Sequence, residues 1–294
     1  MMRSIKELLK KAVEVLRDGK SSATPILDAE LLLVYILNQA GDGFDRLKLV
    51  THQELLIDEQ TAGSFMALVQ ERSKGKPVQY IINRQEFMGL ELYVMPGVLI
   101  PRSDTEIVTE KVIELARGME KPNILDMCTG SGAIAVSLAK YIPDAKLWAV
   151  DVSDTAVECC GINTRRFGLE DRVRIIKGDL FENLRDEGLS GIIDIVVSNP
   201  PYIETAVMHE LDINVRDYEP HLALDGGKDG LVYYRRIVQD AACFLKSKGV
   251  LAFEIGYDQG SKVKSIMEES GCYYGIELLE DLAGFDRCVW GYRY

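Results

Sequence analysis

Long apolar runs are scarce in this chain of 294 residues: the longest, Leu31 to Leu37, has seven residues, where a helix crossing a bilayer needs about 20. No membrane span is expected. No secretory leader is expected either, because Met1-Met2-Arg3-Ser4-Ile5-Lys6-Glu7 passes straight into a charged amphipathic pattern, and a cytoplasmic protein is the expectation. The six cysteines (128, 159, 160, 243, 272, 288) include no Cys-x-x-Cys pair, and the three histidines (52, 209, 221) include no i, i+4 pair. That spacing argues against a zinc site or a disulfide framework and for buried free thiols, so no metal is expected. Positive charge is the last shortage. The net charge is -12; residues 1 to 84 are near balance, with 12 Lys+Arg against 11 Asp+Glu, while residues 85 to 294 carry 22 against 35. An acidic body lacks the basic footprint that duplex phosphates require, so no direct nucleic-acid partner is expected.

What is present, 47% hydrophobic and 27% charged residues, describes a globular chain long enough for one sizeable core and a smaller domain. Residues 1–80 read as a small all-α domain. Ile5, Leu8, Leu9, Ala12 and Leu16 form one helical face that stops at Gly19, Thr24-Pro25 opens an apolar helix broken at Gly41 to Gly43, and Asp58 caps another carrying Phe65, Leu68 and Val69. Residues 81–101 read as a β-hairpin linker, with partial alternation over 87 to 94 and a Pro96-Gly97 turn before Val98-Leu99-Ile100. From residue 102 to 294, a helix from Asp104 to about Arg117 precedes strands and helices at βαβ spacing. The strands are 123–126, 146–151, 173–179 and 192–198, then 250–255 after a helix over 231–245, with closing strands near 276–279 and 288–292. The fold class is therefore α/β, a doubly wound and mostly parallel sheet.

Two constellations lie at carboxyl ends of those strands, where open α/β sheets bind ligands. Asn199-Pro200-Pro201-Tyr202 follows the apolar strand Ile192 to Ser198. Consecutive prolines supply no N–H and keep the preceding residues extended, which leaves the Asn199 side-chain oxygen and the Pro200 carbonyl as acceptors for a substrate –NH2. Tyr202 would wall a flat amide with its ring. Asp126-Met127-Cys128-Thr129-Gly130-Ser131-Gly132 is a glycine turn opening a helix, which lets backbone approach a ligand. Asp151, at the end of the next strand, can accept both hydroxyls of a ribose, and Asp179 can accept from an adenine amino group, so a nucleoside-containing cofactor is implied. Structural readings compete at each position: a tight turn for the glycines, a helix cap for Asp151, surface packing for Tyr202. The connection 203–230 exceeds an ordinary loop and reads as a lid, in which turn formation alone accounts for Gly226-Gly227.

Together, residues 126–132, Asp151 and Asn199–Tyr202 resemble class I S-adenosylmethionine-dependent methyltransferases, whose seven-stranded sheet carries an antiparallel closing strand. Phe87-Met88-Gly89-Leu90, Leu99-Ile100-Pro101-Arg102-Ser103-Asp104-Thr105-Glu106, Glu219-Pro220, Gly226-Gly227-Lys228-Asp229-Gly230 and Asp281 to Arg287 resemble, more narrowly, the bacterial protein-(glutamine-N5) methyltransferases that modify peptide chain release factors. The resemblance covers nearly the whole chain, and departs at Cys128, usually glycine, and Ser103, usually proline. It implies methyl transfer from S-adenosylmethionine to the glutamine of a release factor's Gly-Gly-Gln motif, in translation termination, by a monomer whose N-terminal domain recognises the substrate. It assigns cofactor binding to Asp126, Cys128, Thr129, Gly130, Ser131, Gly132, Asp151, Asp179, Leu180 and Asn199, catalysis to Asn199, Pro200 and Tyr202, and substrate binding to Asn199, Pro200, Pro201 and Tyr202. A ribosomal-protein glutamine is the alternative substrate; a DNA amino group is a more distant one, disfavoured by the charge.

Overall fold

The computed structural model describes residues 2–39, 41 and 43–294; Met1, Ala40 and Asp42 lie outside it, and Asp42 is the middle of the Gly41 to Gly43 break. Its contacts divide the chain into two compact units, one of residues up to Arg84 together with Leu211–Tyr218, the other of Gln85–Glu210 and Glu219–Tyr294.

The first unit is built on helices α1 (Ile5–Asp18), α2 (Pro25–Gln39), α3 (Arg46–Thr51), α4 (Glu59–Ser73) and α5 (Val78–Ile82), with a small antiparallel pair β1 (Arg3–Ser4) and β2 (Leu56–Ile57). Ser4 starts α1 with a reciprocal cap, its hydroxyl accepting from the Glu7 N–H while the Glu7 carboxylate accepts from the Ser4 N–H. Asp58 caps α4. Ile5, Leu8, Ala12 and Leu16 are fully buried against Leu32, Leu33, Phe65 and Val69, as a 3.6-residue period requires. One ion pair lies inside: the Arg72 Nε donates to Asp28 at 2.6 Å, and Arg72 also reaches the Ser21 carbonyl at 3.0 Å. The segment 211–218 joins this unit through Asn214, whose Oδ1 accepts from Arg72, and Tyr218, whose hydroxyl donates to the Lys74 carbonyl. The short elements α3, α5, β1 and β2 were not expected, since none is long enough to display a period.

In the second unit, β3 (Arg84–Phe87) and β4 (Leu90–Tyr93) form the hairpin. Its turn is Met88-Gly89, with φ of 51° and 70°; Pro96-Gly97 does turn the chain, the Val98 N–H donating to the Met95 carbonyl at 3.3 Å, but outside the hairpin. Val98 to Ile100 form no strand. Then follow α6 (Ser103–Leu115), β5 (Asn123–Met127), α7 (Ala133–Tyr141), β6 (Lys146–Asp151), α8 (Asp154–Arg166), β7 (Val173–Lys177), β8 (Ile193–Ser198), α9 (Ile213–Arg216, within the first unit), α10 (Val232–Ala241), β9 (Leu245–Glu254), α11 (Gly260–Glu269), β10 (Tyr273–Glu280) and β11 (Asp286–Arg293). The sheet order is β10-β11-β9-β8-β5-β6-β7. Strands β5 to β9 pair in parallel, while β11 runs antiparallel to both β9 and β10. One boundary moved: helix was expected through Leu245, but α10 ends at Ala241 because the Ile193 N–H takes the Phe244 carbonyl and draws that segment into the sheet. A separate apolar core covers each face, one around Ile134, Leu138 and Ile195, the other around Leu125, Tyr234 and Phe253.

Candidate active site

Strand β8 lies between β5 and β9, with Ser198 opposite Met127 on one side and Phe253 on the other, so Asn199 emerges where three parallel strands end. The Asn199 Nδ2 donates to the Thr105 hydroxyl at 3.1 Å, in the first turn of α6. With its nitrogen committed, Asn199 turns Oδ1 elsewhere. Among the described residues neither that oxygen nor the Pro200 carbonyl has a donor, so the corner offers two acceptors. The Tyr202 hydroxyl donates to Glu254 at 3.3 Å, and burial pushes its pKa well above the usual range, so it stays protonated.

The corner is held from behind. Gln259, buried, donates to the Tyr202 carbonyl at 2.9 Å and accepts from the Gly256 N–H at 3.1 Å. A Cβ on Gly226 would lie 2.7 Å from the Tyr202 Cα and 2.8 Å from the Pro201 carbonyl oxygen, so only glycine lets the 226–230 turn pack there. Turn formation alone had been the reading of Gly226; close approach to the corner is the stronger reason for it.

A cavity runs from Asn199 and Pro201 along the ends of β5 and β6, lined by Cys128, Thr129, Gly130, Ser131, Asp151, Asp179 and Leu180. Asp126, Gly132, Pro200 and Tyr202 do not line it. Asp126 lies beneath, accepting from the Thr129 hydroxyl at 2.5 Å and the Ala135 N–H at 3.1 Å, and burial raises its pKa to about 7. It shapes the turn without reaching the cavity. Gly132 serves helix packing, since at φ 80° a Cβ would meet the Cys160 sulfur at 2.7 Å. Cys128 takes φ 60°, a left-handed conformation that glycine adopts without steric cost.

The donor set fits a nucleoside cofactor. Asp151 accepts from the Gly130 N–H and the Ser153 N–H, both at 2.9 Å, one on each oxygen, which leaves each oxygen a further lone pair for a hydroxyl. Val150, Ala156, Leu180 and Tyr233 supply an apolar wall. At Gly130, φ 56°, a Cβ would find only Val98, at 3.9 Å, so the backbone there faces open space. Asp179 is the exception to free acceptors, because Arg236 donates to its Oδ2 at 2.8 Å. The opposite wall joins Val98, Leu99 and Pro101 to Pro220, Leu222 and Ala223. Buried Glu219 clamps these two stretches, accepting from the Ile100 N–H at 3.4 Å and pairing with Arg102; burial raises its pKa more than Arg102 lowers it.

No side chain here is an activated nucleophile. Burial pushes the Cys128 thiol far up and those of Cys159 and Cys160 to about 12, so all three stay neutral. Among the described residues no cluster of His, Cys, Asp or Glu could hold a metal, and no helix is long and apolar enough to cross a membrane. Thr105, Glu219, Glu254 and Gln259 escaped the reading of the sequence as a site. The available signal was Glu254, an acid at the end of the apolar strand Val250 to Phe253.

Two family models match: the PrmC N-terminal domain over residues 7–82 and the methyltransferase small domain over residues 104–215. A release factor glutamine methyltransferase of Clostridium acetobutylicum is 41% identical over 98% of both chains, and one of Moorella thermoacetica is 42% identical over 99% of both. A solved methyltransferase from Pyrococcus furiosus shares the fold, with a TM-score of 0.50 at 17% identity over 70% of this chain and 89% of that one. From β8 and its acceptor corner to the helical unit ahead of it, the chain belongs to the release factor glutamine methyltransferase family.

Proposed function

We propose that this protein transfers the methyl group of S-adenosylmethionine to the side-chain amide nitrogen of the glutamine in the Gly-Gly-Gln motif of peptide chain release factors. The observation that carries the reading is the commitment of the Asn199 Nδ2 to Thr105, which presents two acceptors and no donor to an incoming –NH2. Asp151 would hold the ribose hydroxyls of S-adenosylmethionine in the cavity, and the bound cofactor would supply an electrophilic sulfonium methyl group whose sulfur leaves as a neutral thioether. A carboxamide nitrogen is a poor nucleophile because its lone pair is delocalised, so the chain's work is to orient it. Asn199 Oδ1 and the Pro200 carbonyl accept its two N–H groups, aim the remaining lone pair at the methyl carbon, and favour the positive charge that grows on nitrogen, which is discharged when the methylated amide gives up one N–H proton to solvent. Tyr202 lies along the amide plane, and the helical unit recognises the release factor.

Labelled S-adenosylmethionine incubated with the chain and, separately, a release factor, a ribosomal protein and duplex DNA tests this. Label in the release factor, mapped to the glutamine, is the expected result; label only in the ribosomal protein or DNA would overturn the substrate.

A further inference from the structure

The cavity wall that faces β5 and β6 is made of two stretches far apart in sequence, and neither is fixed by regular structure of any length. Val98 to Ile100 form no strand, and His221–Ala223 make a single turn of 3-10 helix. Ile100 is buried, so its N–H needs an acceptor that no sheet ladder supplies, and Pro101 after it has no N–H to give. Glu219 is that acceptor. Its side chain is 2% exposed, with Oε2 accepting from the Ile100 N–H at 3.4 Å and Oε1 paired with the Arg102 guanidinium. Arg102 is available for this pairing because, at the N-cap of α6, its side chain makes no capping bond. Pro220, next in the chain, biases Glu219 towards an extended backbone.

The 220–223 stretch is thereby tied on both sides. After it, the Ile203 N–H donates to the Leu224 carbonyl at 2.9 Å and the Gly226 N–H to the Ile203 carbonyl at 2.8 Å, which joins that side to the chain leaving the acceptor corner. Before it stands Glu219. Between the two ties, Leu222 lines the cavity while 53% exposed, so its own packing does little to hold the stretch in place. We infer that Glu219 is a positioning residue for the cofactor: with Arg102 it latches 220–223 to 98–101, so that the wall is in place before S-adenosylmethionine arrives and opens rarely once the cofactor is bound. A wall ordered in advance takes nothing from the affinity, whereas a wall that the ligand must order subtracts that entropy from it. With the latch broken, the stretch keeps its 224–226 tie and loses the other, and a bound cofactor leaves sooner.

The inference rests on the cavity being the S-adenosylmethionine site, and a wild-type chain that binds no S-adenosylmethionine overturns both. For a wild-type chain that binds it, affinity is measured by calorimetry, dissociation by stopped-flow competition, and amide hydrogen exchange on the cofactor-free protein. Glu219→Gln presents no charge and one acceptor oxygen where the carboxylate has two, so it cannot hold Ile100 and Arg102 from separate oxygens. It should bind S-adenosylmethionine about 10-fold more weakly, the worth of one hydrogen bond to a charged group, mostly through faster dissociation. Its single-turnover rate on release factor at saturating cofactor should fall less than its affinity. In the cofactor-free chain, exchange should speed up in the two wall stretches and not in β5, β6 or β8. Arg102→Ala should repeat the loss, Arg102→Lys, which keeps a cation, should recover part of it, and Arg102→Ala with Glu219→Gln should bind no more weakly than the weaker single variant. Wild-type dissociation from Glu219→Gln, losses that add in the double variant, or exchange that speeds up through the sheet as well overturns the inference. If Glu219→Gln does not fold, Arg102 decides alone: wild-type dissociation from Arg102→Ala overturns it.

Discussion

Asn199 combines one committed donor with one open acceptor, and the two halves predict different mutants. Asn199→Ala removes both, so S-adenosylmethionine affinity should stay near wild type while the single-turnover rate falls on the order of 100-fold, the usual cost of losing one preorganised polar contact. Asn199→Asp keeps an acceptor but gives Thr105 no hydrogen. Its activity should exceed that of the alanine variant and rise with pH as the new acid ionises. Full transfer by Asn199→Ala would remove Asn199 from the chemistry. Gly226 makes the complementary case, in which backbone and not polarity matters. A methyl group there meets main-chain atoms at 2.7 and 2.8 Å that no rotamer change can clear, so Gly226→Ala should lower both melting temperature and rate. A variant that melts and turns over like wild type would show that the 226–230 turn does not brace the corner.

Helices and strands explain which parts of this arrangement a reader of the sequence could find. Exposed Gly63 interrupts α4 with nothing within 4 Å of a would-be Cβ, so Gly63→Ala should stabilise the helical unit by about 0.5 to 1 kcal/mol in denaturant unfolding. In the same unit Arg72→Ala would leave Asp28 buried without its cation, and should cost about 3 to 5 kcal/mol. Unfolding midpoints unmoved by either change would contradict these packing arguments. The glycine was visible in the sequence and the pair was not. Ile5 to Leu16, the β5 to β8 succession and the Asn199 to Tyr202 corner were legible because local period and turn chemistry specify them. Asp28 meets Arg72 across 44 positions, Asn199 meets Thr105 across 94, and Arg102 meets Glu219 across 117. No local pattern carries such partners. The same distance in sequence hid the grouping of 211–218 with the helical unit, and competition between helix and sheet for Phe244 and Leu245 misplaced the end of α10. Among the residues expected to bind cofactor, Asp126 and Gly132 hold the turn in shape, a distinction that depends on which way a side chain faces and so lies beyond the reach of spacing.

For the molecule taken whole, acidity and burial make stability depend on pH. Asp126 and Glu254 are buried carboxyls whose folded-state pKa values are raised to about 7, chiefly by desolvation. A group with a raised folded pKa contributes stability that is fully present below its ordinary value, near 4, and is lost as pH rises through about 7. The net charge of -12 acts the same way, since self-repulsion grows as the remaining acids ionise. Thermal and denaturant unfolding should therefore show the protein more stable near pH 5.5 than near pH 8. Glu254→Gln separates the causes, for a neutral side chain has no ionisation to disfavour. In that variant the fall in stability between the two pH values should shrink, leaving the part due to Asp126 and net charge. If the variant keeps the full wild-type fall in stability, the carboxyl at 254 is not the group being forced to ionise inside the fold.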